Sequence, residues 1–208
     1  KIDCVGNIMI DSFEMLRDRI EGAGTLEKLG LERGRFAMVT LHRPSNVDDA
    51  VTLSALVGNL LAVSRELPLV FAVHPRTRKR LADFGLLGQV ENAPGIKVTE
   101  PLGYIEFMNL VSQSAAAITD SGGVQEETTY LGIPCLTLRE NTERPVTVTQ
   151  GTNRLIQPDG LIAAVREVLA GRWPRGRKPH HWDGRTAGRC VTSLKAWLDG
   201  SATKSVAA

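Results

Sequence analysis

A parallel β-sheet covered by helices on both faces, a Rossmann-like α/β layer, is the fold class that the sequence predicts. Three observations carry it. Apolar runs of strand length alternate with helical repeats along the whole chain. The runs are continuously apolar, as strands buried on both faces require. Polar residues, namely His42, His74, Glu100, Asp120 and Arg139, stand where these runs end, and open α/β sheets bind ligands at such ends.

From the N-terminus, KIDCVGN (1–7) reads as the end of a strand entering a helix. It starts with Lys1 rather than Met, so the chain reads as a piece of a longer protein. In NIMIDSFEMLRDRIE (7–21), Ile8, Ile10, Phe13, Leu16 and Ile20 approximate one helical face, and Gly22 and Gly24 end it. FAMVTLH (36–42) is a buried strand followed by a polar loop, RPSNVDD. Helical spacing returns from Asp49 to Glu66, and Pro68 closes it. LVFAVH (69–74) is the next strand and PRTRKRLADFG (75–85) a basic helix. IKVTE (96–100), AAAITD (115–120), CLTLR (135–139) and a shorter NRLIQ (153–157) are the remaining strands. Further helices are predicted over 103–113, from Gly122 to Gly132, over 159–171 and over 185–198. The tail SATKSVAA (201–208) is expected to fray.

Composition narrows the function classes. The chain has 208 residues, 42% of them hydrophobic and few aromatic, which is enough apolar surface for such a core. Its 25 basic and 23 acidic residues leave a net charge of +2, giving no field that calls for nucleic acid or a membrane surface. Cys4, Cys135 and Cys190 are odd in number and far apart, without the spacing of a disulfide framework or a zinc site. No apolar run is long enough to span a bilayer, and no signal-peptide pattern is seen. The expected setting is cytoplasmic, with no metal and no cofactor.

The stretch TDSGGVQEETTYLGIP (119–134) is the first candidate site. A helix N-terminus presents free N–H groups and the positive end of the helix dipole. Gly122 and Gly123 let the backbone approach a phosphate, Ser121 adds a hydroxyl, and Glu126 or Glu127 stands one turn inside to accept from a ribose diol. Spacing alone leaves a plain strand-to-helix turn equally open. HRPSN (42–46) is the second candidate: His42 and Arg43 at a strand end suit a charged ligand or proton transfer. His74 in VHPRT repeats the pattern one strand later. Arg144, in the polar loop 139–154, has the guanidinium fork that suits phosphate, although a loop salt bridge is the commoner use. The run RWPRGRKPHH (172–181) reads as a solvated connector with Trp173 and Trp182 tucked onto the body, rather than as a nucleic-acid patch.

Together, TLHRPSN, VHPRT, TDSGGVQEE, TERP, GTNRL and the late WDG resemble one family, the non-hydrolysing UDP-N-acetylglucosamine 2-epimerases. The resemblance implies one half of a two-domain fold of the GT-B type. Residues 1–22 would be a crossover from the other half, 23–184 the UDP-binding domain, and 185–208 a terminal helix and tail. It implies that Ser121, Gly122 and Gly123 hold the UDP phosphates and that Glu127 takes the ribose. Leu102 and Phe107 would lie against uracil, Arg144 would be a further nucleotide contact, and His42 would stand beside the diphosphate leaving group.

The reaction so implied is inversion at C2 of UDP-GlcNAc, by elimination and re-addition of UDP, with neither NAD nor metal. The carboxylates that move the C2 proton belong to the family's other half, so this chain alone is expected to bind UDP and turn over nothing. For bacterial members the resemblance implies that Arg43 and His74 also touch a second, activating UDP-GlcNAc. Many of those members have an acid where Ser45 stands, in a pattern like HRREN, from which Pro44 and Ser45 depart here. A homodimer of the intact protein is also implied. The competing readings are a GT-B glycosyltransferase that uses a UDP-sugar and a non-catalytic nucleotide-binding module.

Overall fold

A computed structural model describes residues 2–205, with side chains for residues 2–199. Helix α1 (Ile8–Glu21) begins where the Asn7 side chain accepts from the Met9 N–H, and a short α2 (Thr25–Lys28) follows. The first half of the sheet is built from β1 (Ala37–Thr40), α3 (Pro44–Val47), α4 (Ala50–Val63), β2 (Leu69–Ala72), α5 (Pro75–Asp83), α6 (Leu87–Glu91) and β3 (Ile96–Thr99). Helix α7 (Tyr104–Val111) crosses to the second half. That half comprises β4 (Ala116–Thr119), α8 (Gly122–Leu131), β5 (Cys135–Thr137), α9 (Pro145–Thr149), β6 (Asn153–Leu155) and α10 (Leu161–Leu169). A terminal helix, α11, spans Thr186–Ser205.

All neighbouring strands pair in parallel, in the order β3-β2-β1-β4-β5-β6. The six expected strands and the fold class are therefore found. The chain winds outward from β1 in one direction and then returns to start again at β4. The crevice between the carboxyl ends of β1 and β4 is thus the topological switch point, where such sheets bind ligands.

The central strands β1 and β2 feed two cores by their twofold side-chain alternation. Ala37 and Val39 of β1, with Leu69 and Phe71 of β2, face α4, α5, α6 and α10 through Leu53, Leu56, Leu60, Leu81, Val90 and Val165. Met38, Val70 and Ala72 face α1, α7 and α8 through Ile10, Phe13, Ile20, Met108 and Tyr130. Asn109 ties two elements of this second face together. Its Nδ2 donates to the Ile20 carbonyl at 2.7 Å, and its Oδ1 accepts from the N–H groups of Thr25 and Leu26.

Four short helices were not expected. The residues of α3 and α9 are loop by composition, yet Pro44 and Pro145 at their first positions preset the helical φ. Helices α2 and α6 have four and five residues, too few to display a period of 3.6. Helix α11 continues to Ser205, past its expected end at Leu198, and the last expected frayed residues, 206–208, lie outside the described residues.

The start of α11 is fixed from α1. Asp11 accepts from the Thr186 N–H at 3.0 Å and the Ala187 N–H at 2.8 Å, which caps the helix. In the connector before it, Trp173 and Trp182 are buried, one in each core, as the sequence suggested. Trp173 Nε1 donates to the Thr152 carbonyl at 2.7 Å while Arg154 lies over its ring. Among the described residues no helix is long and apolar enough to cross a membrane.

Candidate functional site

The switch point is organised by Asp120, which follows β4 and is fully buried. Its Oδ2 accepts from the N–H groups of His42 and Arg43, at 3.0 and 2.9 Å, and from Asn46 Nδ2 at 3.0 Å. Its Oδ1 lies 2.8 Å from His42 Nδ1. Burial by itself would raise the carboxyl's pKa. The hydrogen bonds from His42, Arg43 and Asn46 outweigh it and hold the group below the ordinary aspartate value. The loop after β1 is thus pinned to the end of β4. His42 is the half-exposed member of that arrangement, and the ring of His74, at the end of β2, lies 5.6 Å from it.

One residue further, Ser121 opens α8. Its N–H donates to Thr119 Oγ1 at 2.9 Å, but its hydroxyl makes no capping bond, and the first turn of the helix carries no acid. A Cβ added at Gly122 or Gly123 would meet no protein atom within 4 Å. Nothing in the protein's own packing calls for glycine at these two positions. The space in front of the helix end is open.

One turn inside, Glu127 is buried and its Oε1 has no hydrogen-bond partner. Burial pushes its carboxyl up to about 7; the Tyr104 hydroxyl on α7, close to this carboxyl, offsets part of the rise, and the neighbouring Glu126 adds to it. The Tyr104 hydroxyl is buried too, and neither it nor Glu127 Oε1 makes a well-formed hydrogen bond within the protein. Two unsatisfied polar atoms at one place are costly unless a further group completes them. Leu102 and Phe107 flank Tyr104 on the turn into α7 and pack partly buried on the second core.

Glu126 points elsewhere. Its Oε1 receives Arg144 Nε at 3.0 Å, so the loop guanidinium is held against the helix that bears the glycines. Gln125 braces the same helix from below: Nε2 donates to the Ser121 carbonyl, and Oε1 accepts from Thr142 Oγ1 at 2.6 Å and Asn153 Nδ2 at 3.1 Å. Arg43 lies beside a second ion pair, in which Arg139 grips Glu143 through two hydrogen bonds of 2.7 and 2.8 Å.

The structure therefore gathers His42, Arg43, His74 and Ser121 around Asp120 at the switch point. Glu127 lies one turn into α8, near the α7 turn that carries Leu102 and Phe107. Arg144 reaches the cluster through Glu126. The sequence reading gave no role to Asp120, Gln125, Asn153 or Tyr104. Asp120 stands out in the sequence only as a polar strand end. The others left no local signal, because their partners are far off in sequence. Among the described residues no group of three His, Cys, Asp or Glu could hold a metal ion.

Comparison with known proteins adds a second line. A family model described as UDP-N-acetylglucosamine 2-epimerase matches residues 1–195. A UDP-N-acetylglucosamine 2-epimerase of Methanococcus maripaludis is 36% identical, over 88% of this chain and 50% of that protein. A UDP-2,3-diacetamido-2,3-dideoxy-D-glucuronate 2-epimerase of Pseudomonas aeruginosa is 37% identical, over 81% of this chain and 46% of that one. The crystal structure of Methanocaldococcus jannaschii UDP-GlcNAc 2-epimerase in complex with UDP-GlcNAc and UDP aligns with a TM-score of 0.80 and 34% identity. That alignment covers 93% of this chain and 55% of the other. The chain spans about half the length of the curated relatives it matches.

Proposed function

The chain belongs to the UDP-N-acetylglucosamine 2-epimerase family, and from that premise we propose that it is the UDP-binding half of an enzyme interconverting UDP-GlcNAc and UDP-ManNAc. One observation carries the reading: an uncapped, glycine-opened helix end at the switch point, with an unsatisfied buried carboxylate one turn inside. Free N–H groups and the helix dipole suit a diphosphate, and a lone carboxylate suits a diol. Ser121, Gly122 and Gly123 take the phosphates in this reading, and Glu127 takes the ribose hydroxyls. Leu102 and Phe107 border the uracil. Arg144, braced by Glu126, closes on the nucleotide, and His42 stands at the leaving diphosphate. Arg43 and His74 are the candidates for a second, regulatory nucleotide-sugar.

The chemistry follows from what bond cleavage demands. Elimination across C1–C2 needs a base at the weakly acidic C2 proton and stabilisation of charge on the departing diphosphate. This half supplies the second. Holding UDP beside the intermediate makes re-addition effectively intramolecular. The base is assigned to carboxylates of the other half of a GT-B-type protein. Residues 1–22 serve as the crossover, 185–208 as the returning helix and tail, and the intact protein as a homodimer.

The identity with the diacetamido-glucuronate epimerase supports a second substrate reading, in which the sugar is a UDP-linked diacetamido uronate. Assay of the full-length protein with both sugars separates the two. For the nucleotide seat itself the test is calorimetric titration of UDP into the chain and into Glu127→Ala and Ser121→Ala. Binding is expected to weaken about tenfold or more in Glu127→Ala and less in Ser121→Ala, with no UDP-ManNAc formed by the chain alone. Unchanged UDP affinity in both variants would remove the seat from α8.

A further inference from the structure

His42 has two ring nitrogens, and the surroundings of Asp120 decide which of them carries a proton. Three donors, the His42 N–H, the Arg43 N–H and Asn46 Nδ2, converge on Oδ2 at 2.9 to 3.0 Å. Asn46 Nδ2 also donates to the Leu138 carbonyl at 3.0 Å, which fixes the orientation of its amide. The remaining oxygen, Oδ1, lies 2.8 Å from His42 Nδ1 and takes only the longer arm, 3.2 Å, of the bifurcated His42 N–H bond. Two acceptors cannot stand that close without a proton between them. The carboxylate, held below its ordinary pKa by these donors against its burial, does not supply it. The proton is therefore on Nδ1, and Nε2 is the free atom of a half-exposed ring.

We propose that Asp120 is a positioning residue that locks His42 in its Nδ1–H form and leaves Nε2 as the atom of that ring able to exchange a proton in the switch-point crevice. Its consequence for catalysis rests on the epimerase reading above. As the substrate's C1–O bond breaks, its electron pair leaves on the diphosphate oxygen and the proton of a protonated Nε2 goes there. The C2–H electron pair forms the C1–C2 double bond as the carboxylate base of the other half takes that proton. Re-addition returns the first proton to Nε2. Asp120 stays ionised throughout, as counter-ion to the imidazolium. The other charged or titratable groups beside the ring are His74, Arg43 and, behind Arg43, Glu143 and Arg139.

Asp120→Asn tests the lock because it is nearly isosteric yet reverses one donor. With three donors on the Oδ2 side, the carboxamide oxygen must stay there, and its NH₂ turns toward Nδ1. Nδ1 must then accept, and the ring proton moves to Nε2. Nitrogen NMR of the full-length protein with ¹⁵N-labelled histidine reads this directly, with His42→Gln assigning the signal. The wild type is expected to show protonated Nδ1 and bare Nε2, and Asp120→Asn the reverse.

In turnover, Asp120→Asn is expected to lower kcat about 100-fold or more while UDP affinity changes less than about threefold. The same substitution in a His42→Gln background is expected to cost nothing further. A wild-type ring that carries its proton on Nε2 while Nδ1 is bare overturns the lock, and it does so even if Asp120→Asn fails to fold. A full additional loss in the His42→Gln background also overturns it, since Asp120 would then act on structure rather than through His42. A reversed tautomer in a protein that neither binds UDP nor turns over either sugar upholds the lock and sinks the nucleotide reading instead.

Discussion

Two helices leave the carboxyl end of this sheet in similar positions, α5 after β2 and α8 after β4, and they begin in opposite ways. Helix α5 is finished by the chain itself. His74 Nδ1 accepts from the Arg76 N–H at 3.2 Å, and Pro75 at the first position has no N–H to satisfy. Helix α8 has no side-chain cap, no proline and two glycines facing open space. The carboxylates on either side of its start differ in the same sense. Asp120 is held by surrounding donors and its pKa is depressed, whereas Glu127, seven positions on, is buried with an idle oxygen and its pKa is raised. Stability explains α5 and Asp120. It does not explain the uncapped start of α8 or the raised carboxyl of Glu127.

The largest test of that difference is Glu127→Gln. A carboxyl whose pKa climbs from 4.5 to about 7 on folding costs nothing below its unfolded pKa and the full penalty above its folded one. A climb from 4.5 to about 7 corresponds to roughly 3 kcal/mol. Removing the charge should therefore stabilise the ligand-free chain by up to that amount at pH 8, and the gain should fade toward zero at pH 4. Urea unfolding at both pH values measures it, and saturating UDP should narrow the gap because the wild type gains more from the ligand. An equal effect at both pH values would mean that Glu127 is not a strained, waiting carboxylate.

Smaller, but aimed at the same contrast, is Gly123→Ala. No protein atom opposes the new methyl group, and alanine is the better helix former by about 0.5–1 kcal/mol, so thermal stability should rise. If the space belongs to a phosphate, UDP affinity should fall about tenfold, or about 1.4 kcal/mol. A variant both more stable and equally avid for UDP would show that the glycine is not there for a ligand.

The strands could be read in advance because they are buried on both faces, which leaves short, unbroken apolar runs such as MVTL and LVFA. The α8 mouth was readable because glycine at a helix start is itself a local signal. What could not be read are the partnerships. His42 and Asp120 are 78 positions apart, and they meet only because β4 returns to lie against β1. Gln125 and Asn153 meet across 28 positions because β6 lies beyond β5, close under α8. Arg144 could be named as a cation near the site, but its pairing with Glu126 depends on how the loop after β5 folds back onto the helix. Residue type is local information, and satisfaction of a buried polar group is not.

The smallest expected effect lies at the other helix. If α5 is closed for its own sake, His74→Ala should cost what an exposed cap costs, about 0.5 kcal/mol, near the low end for such bonds. Pro75 limits the loss, since one of the helix's orphan donors is missing from the start. Urea unfolding of the wild type and the variant measures it. A loss several times larger would mean that His74 also supports the His42 ring beside it, and the switch point would then extend to the end of β2. A loss confined to about 0.5 kcal/mol keeps the boundary where the hydrogen bonds put it, between a helix that the chain completes and one that it leaves open.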